Sequence, residues 1–226
     1  MTRRAVLALL LLLPVPTLGV ASGMFWWPES GLGQGLFMFS KLWIVAFPVL
    51  WHTVIERRPI SFSPARKGGF VPAVLLGFGI AGVVAGAYFV VRAGGWLDVE
   101  VVRERAGMTD LDRPVVYLVG AAFWITVNSL MEEYVWRWFV FRQFERIVGG
   151  RWAVVLSALG FTAHHIVALS AQFDAGLTAI ASVGVFVGGL VWSWLYLRYQ
   201  SVWPCWASHA IVDVPIFVIG WFLIFG

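Results

Sequence analysis

Val115-Val-Tyr-Leu-Val-Gly-Ala-Ala-Phe-Trp-Ile-Thr-Val-Asn-Ser-Leu-Met-Glu-Glu-Tyr-Val-Trp-Arg-Trp-Phe-Val140 is the stretch that decides the fold. It is long and apolar enough to cross a hydrocarbon core, which takes about 20 residues. Yet it carries Glu132, Glu133 and Arg137. A charge near the centre of a membrane helix costs about 2.5–3.5 kcal/mol on insertion scales, so three within six residues must pair, face a wet cavity, or both. The segment reads at once as a membrane span and as a site.

Working outward, the rest of the chain has the same character. Of its 226 residues 60% are hydrophobic and 12% charged, with 14 Trp and 18 Phe, whereas a soluble domain is about a quarter charged. Hydropathy predicts spans at Ala5 to Gly23, Leu36 to Ile55, Phe70 to Val91, Val115 to Phe141, Trp152 to Ala171, Leu177 to Leu197 and Val202 to Phe225. The expected fold is all-α, a polytopic transmembrane bundle of about seven helices, or six if the first is a cleaved signal. Arg3-Arg4 before a leucine run and Ala21-Ser-Gly23 after it give that first segment a signal-like look.

Residues 1–23 therefore read as a first span or signal, 24–114 as further helices with an external polar loop, and 115–226 as the helical core that carries the charged segment. Arg3, Arg4, Arg57, Arg58, Arg66, Lys67, Arg142, Arg146, Arg151 and Arg198 fall on one side, against Lys41, Arg92, Arg103, Arg105 and Arg113 on the other. That bias predicts a cytoplasmic N-terminus and an external C-terminus, and the membrane expected is a bacterial inner one. The net charge of +4, scattered through short loops, argues topology rather than nucleic acid. The polar stretch Gly94 to Arg113 reads as an external loop or short surface helix. Gly82-Val-Val-Ala-Gly86 and Gly184-Val-Phe-Val-Gly188 have the spacing of close helix packing. Cys205, the only cysteine, reads as a small buried hydrophobe.

More polar residues need a reason: Phe161-Thr-Ala-His-His165 and His209-Ala-Ile-Val-Asp213 in later spans, and Asn128 one turn before Glu132 in the same one. Counted from the nearest flanking arginine at 1.5 Å per residue, Glu132, His165 and His209 lie about 15, 21 and 16 Å deep. All three can meet near mid-membrane. Residues four apart share a helix face, so Glu133 pairs with Arg137, Glu132 stands over Asn128 and Trp136, and His209 stands over Asp213. The simplest assembly is Glu132 facing His165 and His209 from two other helices. His164, His52 and Asp174 read as structural.

Such a set suits hydrolysis of a peptide bond in or beside the membrane. Glu132 takes a proton from water as it attacks a carbonyl, His165 shares or holds that water, and His209 faces the developing oxyanion. No cofactor is required. Two histidines and a carboxylate, Glu132, His165 and His209, are also a familiar zinc ligand set, although no HExxH is present.

In order and at matching depths, Glu132-Glu133-x-x-x-Arg137, Phe161-x-x-x-His165 and His209-x-x-x-Asp213 resemble the CPBP family, also called Abi or CAAX-type intramembrane proteases, over about residues 115 to 215. The resemblance implies a helical membrane bundle that cleaves near the C-terminus of its substrates by glutamate-dependent hydrolysis. It assigns water activation to Glu132 and His165, the oxyanion to His209 and Asp213, and support to Glu133 and Arg137, with Asn128 beside them. Asp213 stands where asparagine is common, and an ionised aspartate cannot donate to an oxyanion. Trp138 follows Arg137 where glycine is frequent, and Trp136 precedes it, a pattern similar to the myxosortases, bacterial members that trim C-terminal sorting tails.

The expected partners are the lipid bilayer and a substrate protein's C-terminal tail, with no nucleic acid. Two rival readings use the same polar residues: a non-catalytic immunity or peptide-binding scaffold, and a proton-coupled transporter.

Overall fold

The computed structural model describes residues 2–226, all of whose regular structure is helical, with no strand among them. Seven helices are long and apolar enough to cross a membrane: α1 Thr2–Trp26, α2 Gly31–Ile55, α3 Phe70–Ala93, α5 Pro114–Val148, α6 Gly150–Ser170, α7 Ala175–Tyr199 and α8 Val202–Phe225. Between α3 and α5 the polar stretch folds as the short helix α4 Val99–Gly107. Each expected span is thus present, and the second begins at Gly31 rather than Leu36.

Turn chemistry sets the order of packing. Gly149 alone separates α5 from α6, at φ +81°, a conformation that costs glycine little. Gln200 and Ser201 separate α7 from α8; Gln200 closes α7 at φ 53°, and the Ser201 hydroxyl accepts from Trp203 N to open α8. Asp174 likewise opens α7 by accepting from Leu177 N at 2.9 Å, which makes it the structural residue the sequence suggests. Connections this short make antiparallel neighbours of α5 to α8.

The core forms where α1, α2, α3 and α5 to α8 converge, around Trp136, Phe139, Phe141, Phe161, Leu195 and Tyr196. Ala8, Leu9 and Leu12 of α1 belong to it. Cys205 is fully buried there. At the C-terminal ends of α6 and α8, α4 is tied down by its arginines: Arg103 donates to Leu223 O at 3.0 Å and Gly226 O at 2.7 Å, and Arg105 to Ala171 O at 2.8 Å. On the opposite rim Glu56, just past α2, pairs with Arg146 near the end of α5 and accepts from Gln143 at 3.1 Å.

Two expectations need correction. A Cβ at Gly82, Gly86 or Gly184 would meet open space, so these small residues do not bring helices together. The close approaches are elsewhere: a Cβ on Gly189 would sit 3.2 Å from Ala158, and one on Gly19 would strike Ser40. Lys41, counted above with the external flanks, lies well inside α2, so ten basic residues on one side face four on the other.

Candidate active site

The charged run sits on the most irregular part of α5. Trp124–Asn128 and Tyr134–Phe141 are wound as wide π turns, with Ser129–Glu133 as one α turn between them. Such local widening is rare and concentrates at functional sites. Here it brackets the two glutamates. The four-residue pairs nevertheless form as read: Arg137 donates to Glu133 at 2.9 Å, and Asn128 Nδ2 donates to Glu132 Oε1 at 3.0 Å.

Glu133 and Arg137 are both fully buried. Their partners come from three helices. Arg137 also donates to Gly189 O of α7 at 3.4 Å, and its guanidinium lies 4.7 Å from the Phe161 ring and 5.1 Å from that of Trp192. Cation–π contact of this kind is worth about 2 kcal/mol when desolvated. Glu133 Oε2 has no hydrogen-bond partner.

His209 enters from α8, stacked on Trp192 with ring centroids 3.8 Å apart. Its Nδ1 is 2.8 Å from Glu133 Oε1, while Nε2 faces Glu132 Oε2 at 3.7 Å and Asp213 Oδ1 at 3.8 Å. The imidazole thus bridges both glutamates, and Glu133 is bound to it as well as to Arg137. From α6, His165 places Nδ1 2.8 Å from Phe161 O. A carbonyl oxygen only accepts, so Nδ1 carries the proton of a neutral ring and the Nε2 lone pair is free.

His164, read from the sequence as structural, belongs to this cluster. It is buried, lies nearly parallel to Trp136 (3°, 5.2 Å), and leaves Nδ1 without a partner. Glu132, His164 and His165 each offer a ligand atom, all within 4.8 Å of one another. Trp136 was the available signal, since it shares the Glu132 stripe. His52 is structural: it pairs with Glu56 at 3.5 Å and packs on Trp138.

A cavity of ≈ 70 Å³ opens between α1, α2, α5 and α6. Asn128, Glu132 and His164 form one wall, and Ser40 and Lys41 stand in the other. It has room for a few waters beside Glu132. Glu132 and Asp213 each keep 17% of their side-chain surface accessible, against none for Glu133. Accessible carboxylates beside free imidazole nitrogen, backed by a sealed ion pair, can move a proton to and from water.

No curated protein and no solved structure matches the chain. Its seven apolar spans fit an integral membrane protein, and the family it matches supports a protease. Residues 114–215, which hold every carboxylate and imidazole of the cluster, match the family described as type II CAAX prenyl endopeptidase Rce1-like, the same CPBP family that the motifs resemble.

Proposed function

We propose that the protein is an intramembrane endopeptidase that hydrolyses a peptide bond near the C-terminal, membrane-embedded or lipidated tail of its substrates. The observation that carries this reading is Glu132, partly accessible in a cavity, with Asn128 holding Oε1 at 3.0 Å and Oε2 turned toward His209. Water between Oε2 and the free Nε2 of His165 gives its proton to Glu132 as its oxygen attacks the scissile carbonyl. Glu132 then passes that proton to the departing amine, so one water is consumed and a carboxylate and an amine are released.

The oxyanion needs a donor. With Nδ1–H given to Glu133, an imidazolium at His209 keeps Nε2–H for the oxyanion, and Asp213 on the same side steadies that ring. Asp213 therefore serves as an orienting group. Glu133 and Arg137 fix the height and rotation of His209 and take no part in proton transfer.

The scheme is complete without a metal. The donor set of Glu132, His164 and His165 also fits zinc, which those residues would hold and which would acidify bound water. The basic residues of the Glu56–Arg146 rim support a cytoplasmic N-terminus in a bacterial inner membrane, and the Glu-Glu-x-x-Trp-Arg pattern favours tail processing of the sorting kind.

Mass-spectrometric profiling of protein termini in host membranes tests the proposal, comparing wild type with Glu132→Ala at equal abundance. A few proteins are expected to keep an uncut hydrophobic tail only in the variant. Indistinguishable termini, with the variant still rescuing a deletion phenotype, would favour the peptide-binding scaffold instead.

A further inference from the structure

Lys41 is a cation without an anion. It stands ten residues into α2, about 15 Å from the Gly31 end at 1.5 Å per residue. Its side chain is exposed and lines the same cavity as Glu132 and His164. No carboxylate of the described residues lies within 4.0 Å of it, and its nearest aromatic contact is the Phe37 ring, with Nζ 5.2 Å from the centroid. A lysine at that depth is costly, and one exposed cation–π contact offsets only a fraction of the cost. Glu132 across the cavity does not neutralise it, being engaged by Asn128 and turned toward His209.

We infer that Lys41 receives the C-terminal carboxylate of the chain that enters the cavity, and so sets the distance from that terminus at which the chain is cut. The inference rests on the proteolytic reading above. An internal peptide segment brings no compensating charge to this depth, whereas a chain end brings one carboxylate. An ammonium group, a compact point charge with three rotatable donors, accepts such an anion without demanding one geometry. With the carboxylate held on α2 and the general base on α5, the separation of these two walls of one cavity sets the run of chain between terminus and cut. Lys41 also lies outside residues 114–215, so the matched segment supplies the chemistry and α2 supplies the register.

The test uses the full chain in lipid nanodiscs and a mixed-sequence library of apolar-tailed peptides, made once with free C-terminal carboxylates and once as C-terminal amides. Products are read by mass spectrometry, with KM and kcat measured on the best-cut members. Wild type is expected to cut the carboxylate form about tenfold more efficiently, the scale of one ion pair in a half-wet site. Lys41→Met should raise KM for the carboxylate form to that of the amide while leaving kcat and all amide cleavage unchanged, and Lys41→Arg should restore the preference. Equal cleavage of both forms by wild type, or a fall in kcat on both with Lys41→Met, overturns the role of Lys41 and leaves the protease standing. Absence of any Glu132-dependent cleavage of either form overturns both readings.

Discussion

Glu133 Oε1 accepts from Arg137 at 2.9 Å and lies 2.8 Å from His209 Nδ1, so one oxygen atom joins the ion pair of α5 to the imidazole of α8. Removing either partner strands a buried charge. Arg137→Met should therefore cost about 3–5 kcal/mol, since breaking a buried pair leaves its other half uncompensated. Glu132→Gln, by contrast, keeps its amide oxygen for Asn128 and should leave stability unchanged while removing the proposed base. Thermal unfolding of both variants in one detergent separates them: a similar loss in each would mean that Glu132 is structural. The pairings of Glu132, Glu133 and Asp213 were legible because four-residue spacing is a property of one helix. The His209–Glu133 bond and the place of His164 were not, since they depend on how α5, α6 and α8 are rotated about their own axes.

Among elements, α6 and α7 pack where Gly189 lets them. A side chain there would press on Ala158 and Phe161 and shift the carbonyl that Arg137 uses. Gly189→Val should cost about 1–3 kcal/mol, the usual range for overpacking, while Gly184→Ala, into open space, should be neutral or slightly stabilising. Equal effects in unfolding measurements would refute this assignment of the contact. The paired glycines of α3 and α7 misled because small-residue spacing says that a helix surface permits close approach, not that a neighbour lies on that side. The seven spans themselves were readable, because the bilayer imposes their length and apolarity whatever they pack against. Lys41 reads as a flank in the sequence because a single charge barely lowers the hydropathy of a long window.

At the scale of the molecule, Glu56 and Arg146 clamp the end of α2 to the end of α5. Burial raises the Glu56 carboxyl, but hydrogen bonds from Arg146 and Gln143, with the Arg146 charge, outweigh it and hold the group below its ordinary value of 4.5. A carboxylate so lowered adds stability that is present above the unfolded value and lost as pH falls through the folded one. The stability gap between wild type and Glu56→Gln should stay level near neutrality and narrow below pH 4.5. A gap that instead widened on acidification would show that the clamp is not ionic.

The cavity has two kinds of wall. Glu132 and His164 lie inside the stretch matched to the family, whereas Ser40 and Lys41 lie outside it. An inhibitor filling that space would touch both. A compound built only against the carboxylate and imidazoles would grip what the matched stretch holds, and one that also grips α2 would draw on residues outside that stretch.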